Sequence, residues 1–202
     1  MFQSYNIEIR TTVSVKGVGV MLRAEMEQVA KEILAYRCPR YEHLPNIPLY
    51  SDQVIDSLKL YTAPFYSDGS EQAITPTMIN NYVKQHLITP PVKKRYDKEQ
   101  IARLYCICLL KRVFSISEVK RLLEVQMCSY PFPQAYDYFC VELEKALQAT
   151  FSTRDFSAPS SAQKVTPESE LVRLSALAFA NKLFAIKFLE MYDLSRLNES
   201  SK

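Results

Sequence analysis

The chain has 202 residues, 48% of them apolar and 23% charged, with a formal charge of +3. These ordinary globular values exclude a wholly disordered chain and a coiled-coil rod, and the length fits one domain with appendages or two small ones. Three glycines against eleven prolines argue against Gly-rich phosphate loops, dinucleotide-binding turns and many-turned β-sandwiches, which leaves a mainly α protein punctuated by proline.

Tyr5, Ile7, Ile9, Val13 and Val15 fall on odd positions with mostly polar residues between them, the period-2 pattern of a half-buried strand. One strand needs a partner, either a hairpin further along or a second subunit. A helix follows over about Val20 to Arg37, with Leu22, Met26, Val29 and Ile33 on one face and the Cys38-Pro39 step at its end. After Pro45 and Pro48, Ser51 reads as the N-cap of a helix that carries Val54, Leu58 and Tyr61 on one stripe and closes at Pro64. A polar loop over Ser67 to Ala73 leads to Thr75-Pro76, an N-cap hydroxyl with proline at the first helical position. The helix it opens should run to about His86.

Pro90 and Pro91 precede Lys93-Lys94-Arg95-Tyr96, a short basic extended excursion. Asp97 with Gln100, and Ser115 with Glu118, are capping-box starts for helices to about Val113 and Val125. Gln134 to Phe151 reads as a further helix. Ser152 to Val165 reads as a linker, and Thr166-Pro167 opens the last helix, to about Leu194.

Charge is uneven along this order. From Lys84 to Arg121 there are ten basic residues and three acidic ones, a segment of net +7 in a chain of +3. On the helix after Thr75, Met78, Ile79, Tyr82 and Val83 share one side, while Thr77, Asn80, Asn81, Lys84 and Gln85 share the other. Amides pair in a bidentate way with adenine, lysine reaches guanine or phosphate, and threonine bonds phosphate or touches a thymine methyl. Helix, turn, helix and basic loop is a winged helix-turn-helix layout for double-stranded DNA. The alternative is a surface helix with solvated polar residues, and the adjoining +7 segment favours DNA.

The stretch Ile74-Thr-Pro-Thr-Met-Ile-Asn-Asn-Tyr-Val-Lys-Gln-His-Leu-Ile88, then Pro90-Pro91, Arg95-Tyr96 and Phe114-Ser-Ile-Ser-Glu-Val-Lys-Arg-Leu-Leu123, resembles the DNA-binding half of the MerR family. It also closely resembles a bacterial domain-of-unknown-function family, numbered eighteen thirty-six, which is itself MerR-like. Thr75 matches that pattern's N-cap, Tyr82 its recognition-helix tyrosine, Leu87-Ile88 its exit, Arg95 and Tyr96 its wing, and Phe114 to Val119 its next helix start. The resemblance covers a little over a third of the chain, Leu49 to Leu123. It implies a dimeric transcriptional regulator whose DNA-contacting residues are Thr75, Thr77, Asn80, Asn81, Tyr82, Lys84, Gln85, Lys93, Lys94, Arg95 and Tyr96. The chain departs from the pattern in four places, one being the turn between the first two helices, which the Pro64 to Ala73 loop expands. Thr77 and Asn80 stand where arginines are usual, His86 replaces a glycine, and the wing lacks its Gly-Tyr-Arg tip.

Cys106 and Cys108 lie two apart on a helix and point about 200° from each other, so they are read as buried structural thiols and not as a metal site. No catalytic motif, cofactor or metal is expected. The aromatic run Tyr130 to Phe139 reads as packing, with an effector pocket as the alternative. The broadly apolar last helix must be covered by the core or by a second subunit, and a homodimer through it is the favoured reading. The division expected is an N-terminal strand-and-helix extension (1–48), a winged helix-turn-helix domain (49–126) and a C-terminal helical dimerisation or effector region (127–202). With five cysteines in no paired framework and no leader-like start, a reduced cytoplasmic protein without membrane contact is expected. The competing function is a helical protein–protein interaction module that does not bind DNA.

Overall fold

Proline and short polar caps set most of the helix ends. The computed structural model describes residues 26–66, 73–155 and 161–190; the expected strand from Tyr5 to Val15 lies outside them. Helix α1 covers residues 26–35, with Met26 and Ile33 buried. A short strand β1 (Leu49–Tyr50) runs directly into α2 (Ser51–Thr62), which Pro64 closes through a 3-10 turn at Ala63–Phe65. Ser51 is therefore the first helical residue and not the N-cap. The extended Tyr50 caps α2, its N–H donating to the Gln53 side chain at 3.0 Å, because strand pairing holds that residue's backbone.

Helix α3 (Pro76–Lys84) starts as read, with Thr75 Oγ1 accepting from Met78 N–H at 3.2 Å. It ends two residues short of His86, which turns the chain with φ 58°. Strand β2 (Arg95–Tyr96) pairs antiparallel with β1, Leu49 opposite Tyr96 and Tyr50 opposite Arg95. Both capping boxes form. Asp97 and Gln100 open α4 (Lys98–Leu110), and Ser115 and Glu118 open α5 (Ile116–Ser129), which runs four residues beyond Val125.

α4 is the central helix. Its buried residues, Gln100 to Ala102 and Leu104 to Leu110, go almost all round it, as expected of a helix enclosed by neighbours. It is packed against α2 on one side and against α6 (Phe132–Gln148) and α7 (Pro167–Glu190) on the other. The Tyr36 hydroxyl donates to Tyr61 O at 2.8 Å and accepts from the Tyr105 hydroxyl of α4 at 2.6 Å. Edge-to-face rings carry the core onward, Tyr36 to Phe65 at 4.6 Å and Phe65 to Phe179 of α7 at 5.3 Å.

The buried side chains form one cluster from Met26 to Leu183. The described parts of the three expected regions thus share one core. α7 buries Val172, Ala176, Phe179, Ala180 and Leu183 within its own chain, so most of the apolar surface that called for a second subunit is covered by α6, with α4, α5 and the turn after α6 beside it. Its outer side keeps Leu174 at 50% and Leu189 at 69% exposure. The linker is tied back where it is described. Ser161 N–H donates to the buried Glu142 carboxylate of α6 at 2.9 Å, and the Ser161 hydroxyl bonds the same oxygen. Among the described residues no helix is long and apolar enough to cross a membrane.

Candidate nucleic-acid interface

α3 divides into the two faces its sequence marked out. Ile79 and Tyr82 are buried and Met78 and Val83 half-buried, while Thr77, Asn80, Asn81, Lys84 and Gln85 are exposed. Two candidates leave the contact set. Tyr82 is 5% exposed and Tyr96 is 4% exposed, so neither ring lies on the outer surface, and desolvation pushes the Tyr96 hydroxyl above its usual pKa. Both support the surface from beneath. Thr75 is half-buried, and its hydroxyl is used in capping α3.

The basic excursion is a tight hairpin turn. Val92 and Arg95 exchange backbone hydrogen bonds at 3.1 and 3.0 Å, with Lys93 and Lys94 as the two turn residues at φ 51° and 62°. Positive φ at both central positions is the type I′ pattern, normally filled by Asn-Gly. A left-handed residue with a Cβ costs roughly 1 to 2 kcal/mol. Two exposed lysines in succession therefore stand at the tip against the local backbone preference.

Behind the turn, Gln100 joins three parts of the chain. It is 4% exposed; its Oε1 accepts from Asp97 N–H at 2.7 Å, and its Nε2 donates to Thr89 O at 2.8 Å and to Thr89 Oγ1 at 3.0 Å. One side chain thus closes the cap of α4 and fixes the segment leading from α3 to the hairpin. Its capping role was legible in the sequence, but the bond to Thr89 depends on the fold.

Further cations lie beside α3 that its own sequence neighbourhood did not indicate. Lys111 and Arg112, just past α4, reach the end of α2 and the start of α3, Lys111 Nζ lying 3.5 Å from Met78 Sδ and the Arg112 guanidinium 4.4 Å from the Tyr66 ring centre. At the hairpin, Arg95 stacks on Tyr50 at 4.7 Å and donates to its hydroxyl at 2.9 Å. Of the ten basic residues from Lys84 to Arg121, only Arg103 makes an ion pair among the described residues, with Glu99. Of the others, Lys98 donates to a carbonyl, Lys111 meets a sulfur, Arg95 and Arg112 stack on rings, and Lys84, Lys93, Lys94 and Arg121 are exposed. A segment of net +7 that is not locally neutralised projects its field outward.

The thiols offer no chemistry here. Cys106 and Cys108 are buried, and desolvation raises both, Cys108 to about 12, so each is a protonated, unreactive thiol near neutral pH. Among the described residues, no three His, Cys, Asp or Glu side chains are placed to hold a metal ion.

A model of the family described as "Domain of unknown function (DUF1836)" matches residues 39–139. No curated protein and no solved structure matches the chain.

Proposed function

We propose that this chain, which belongs to the DUF1836 family, is a sequence-specific double-stranded DNA-binding transcriptional regulator with a MerR-like winged helix-turn-helix, acting in the cytoplasm as a homodimer without metal, cofactor or catalysis. In this reading α2 and α3 are the helix pair and the Val92–Arg95 hairpin is the wing. The observation that carries it is the uncompensated basic segment around α3: a surface built for folding alone tends to pair its cations, whereas one built for phosphates leaves them available. Asn80, Asn81 and Gln85 then offer amides to adenine edges, Lys84 reaches guanine or phosphate, and Thr77 meets phosphate or a thymine methyl. Lys93, Lys94 and Arg95 take the flanking backbone.

The test separates these two groups. Selection from a random duplex library supplies a bound sequence, and titrations follow on that duplex and a scrambled one at several salt concentrations. Asn81→Ala and Lys84→Ala should lose about 1 to 3 kcal/mol on the selected duplex and little on the scrambled one. Lys94→Ala should weaken both alike and reduce the salt slope by about 2, one contact from each protomer of the dimer. Micromolar protein that shifts no duplex at low salt would leave the chain as a helical interaction module, a reading favoured by the exposed Leu174 and Leu189 of α7.

A further inference from the structure

Two arginines of the basic segment are held in the same manner at opposite ends of α2. Tyr50 immediately precedes that helix and carries Arg95 on its ring at 4.7 Å, and its hydroxyl accepts from Arg95 Nη2 at 2.9 Å. Tyr66 follows the turn that ends α2 and carries Arg112 at 4.4 Å. Both platforms are fixed. Tyr50 sits in the strand pair directly opposite Arg95, and the Tyr66 hydroxyl donates to Cys108 O at 3.0 Å in the central helix. The backbone carbonyl of Arg112 in turn accepts from the Lys182 ammonium of α7.

We propose that Arg95 and Arg112 form a pair of preset phosphate clamps bracketing α3, with Tyr50 and Tyr66 as the positioning residues that hold them. The proposal rests on the duplex-DNA reading above. Three observations support it. The two stacks sit at the two ends of α2, whose 12 residues span roughly 18 Å along the helix axis, a length greater than the roughly 12 Å width of a major groove and of the scale needed to reach phosphates on its opposite rims. α3 lies between them: Met78 in its first turn touches Lys111, the neighbour of Arg112, and its far end leads through Thr89 into the hairpin that bears Arg95. Neither guanidinium is matched to a carboxylate among the described residues, so each keeps its full charge for a ligand. A guanidinium stacked on a ring has already lost rotamer freedom before it meets a phosphate, so it binds at lower entropic cost than a free one.

A positioning residue and a charge-bearing residue differ in their response to salt. Affinity for the selected duplex is measured across salt concentrations for the full-length protein and its variants. Arg95→Ala and Arg112→Ala should each weaken binding and lower the salt slope by about 2, because one phosphate contact is gone from each protomer of the dimer. Tyr50→Leu and Tyr66→Leu should each weaken binding roughly two- to tenfold with the slope unchanged, because the charge remains but is no longer held. Tyr50→Phe and Tyr66→Phe, which retain the rings, should recover much of the loss. Arg95→Lys and Arg112→Lys keep the charge without the planar stack, so they should match the tyrosine→leucine variants and give the same answer should Tyr66→Leu fail to fold. In an Arg95→Ala background, Tyr50→Leu should cost nothing further. The clamp is overturned if the wild type binds DNA while the leucine and lysine variants bind equally well, or if the Tyr50 loss persists without Arg95. Wild-type protein that binds no duplex overturns the DNA reading itself, and the clamp with it.

Discussion

Lys93 and Lys94 occupy backbone positions that asparagine and glycine fill at lower cost. The expected consequence is a trade between stability and binding. Replacing Lys93→Asn together with Lys94→Gly should relieve about 1 kcal/mol of turn strain and raise the melting temperature by roughly 2 to 4 °C. The same change removes two cations per chain, four per dimer, so the salt slope for duplex binding should drop by about 4. Calorimetry and binding titrations on one preparation give both values. A double variant that melts lower than wild type would show that the lysines are not strained in this turn. Tyr82 and Tyr96 give the complementary lesson, since family resemblance places them in the contact set and burial removes them from it. Recognition-helix position alone does not tell an aromatic residue that touches a ligand from one that supports the helix beneath it.

At the scale of elements, the α3–hairpin–α4 unit depends on caps more than on strand pairing, because a sheet with two residues in each strand contributes little by itself. Gln100 is the joint. Gln100→Ala leaves Asp97 N–H without its side-chain acceptor and Thr89 O without its donor in a part-buried setting, at a cost of about 1 to 2 kcal/mol. It should also loosen the hairpin, so amide exchange at Val92 and Arg95, whose N–H groups close the turn, should accelerate more than exchange within α6. Equal acceleration in both places would mean that Gln100 supports only global stability. The other cap residues are local by comparison. Thr75→Ala removes one bond to Met78 N–H and should cost about 1 kcal/mol.

Over the whole molecule, α7 has two faces with different expected uses. The inner one holds Phe179, 2% exposed and edge-on to Phe65, and Phe179→Ala should cost roughly 3 to 5 kcal/mol in chemical denaturation. The outer one shows Leu174 and Leu189 to solvent, and the proposed homodimer would use it. Light scattering should find a dimer for the full chain, and a Leu174→Glu, Leu189→Glu variant should become monomeric with its melting temperature little changed. Truncating before α7 tests neither face, since it removes part of the shared core. A monomeric wild type at tens of micromolar would sink the dimer.

The sequence by itself determined where four of the described helices begin. Thr75-Pro76, Asp97 with Gln100, Ser115 with Glu118 and Thr166-Pro167 all act within one helical turn, and all four starts are present. It also determined the division of α3 into apolar and polar faces, because a period of 3.6 fixes which side chains share a side once the helix exists. Helix ends were less legible. α5 continues to Ser129 because no breaker precedes Pro131, and α3 stops early because His86 takes the left-handed conformation without being glycine. The tertiary structure alone decided how α7 is covered, since a broad apolar stripe reads the same whether its partner is α6 or another subunit. It alone brought Tyr50 to Arg95 and Tyr66 to Arg112, pairs separated by more than forty residues. No local periodicity encodes such meetings. They follow from the packing of α2 on α4, which is set by the burial of both helices together and not by the pattern of either one.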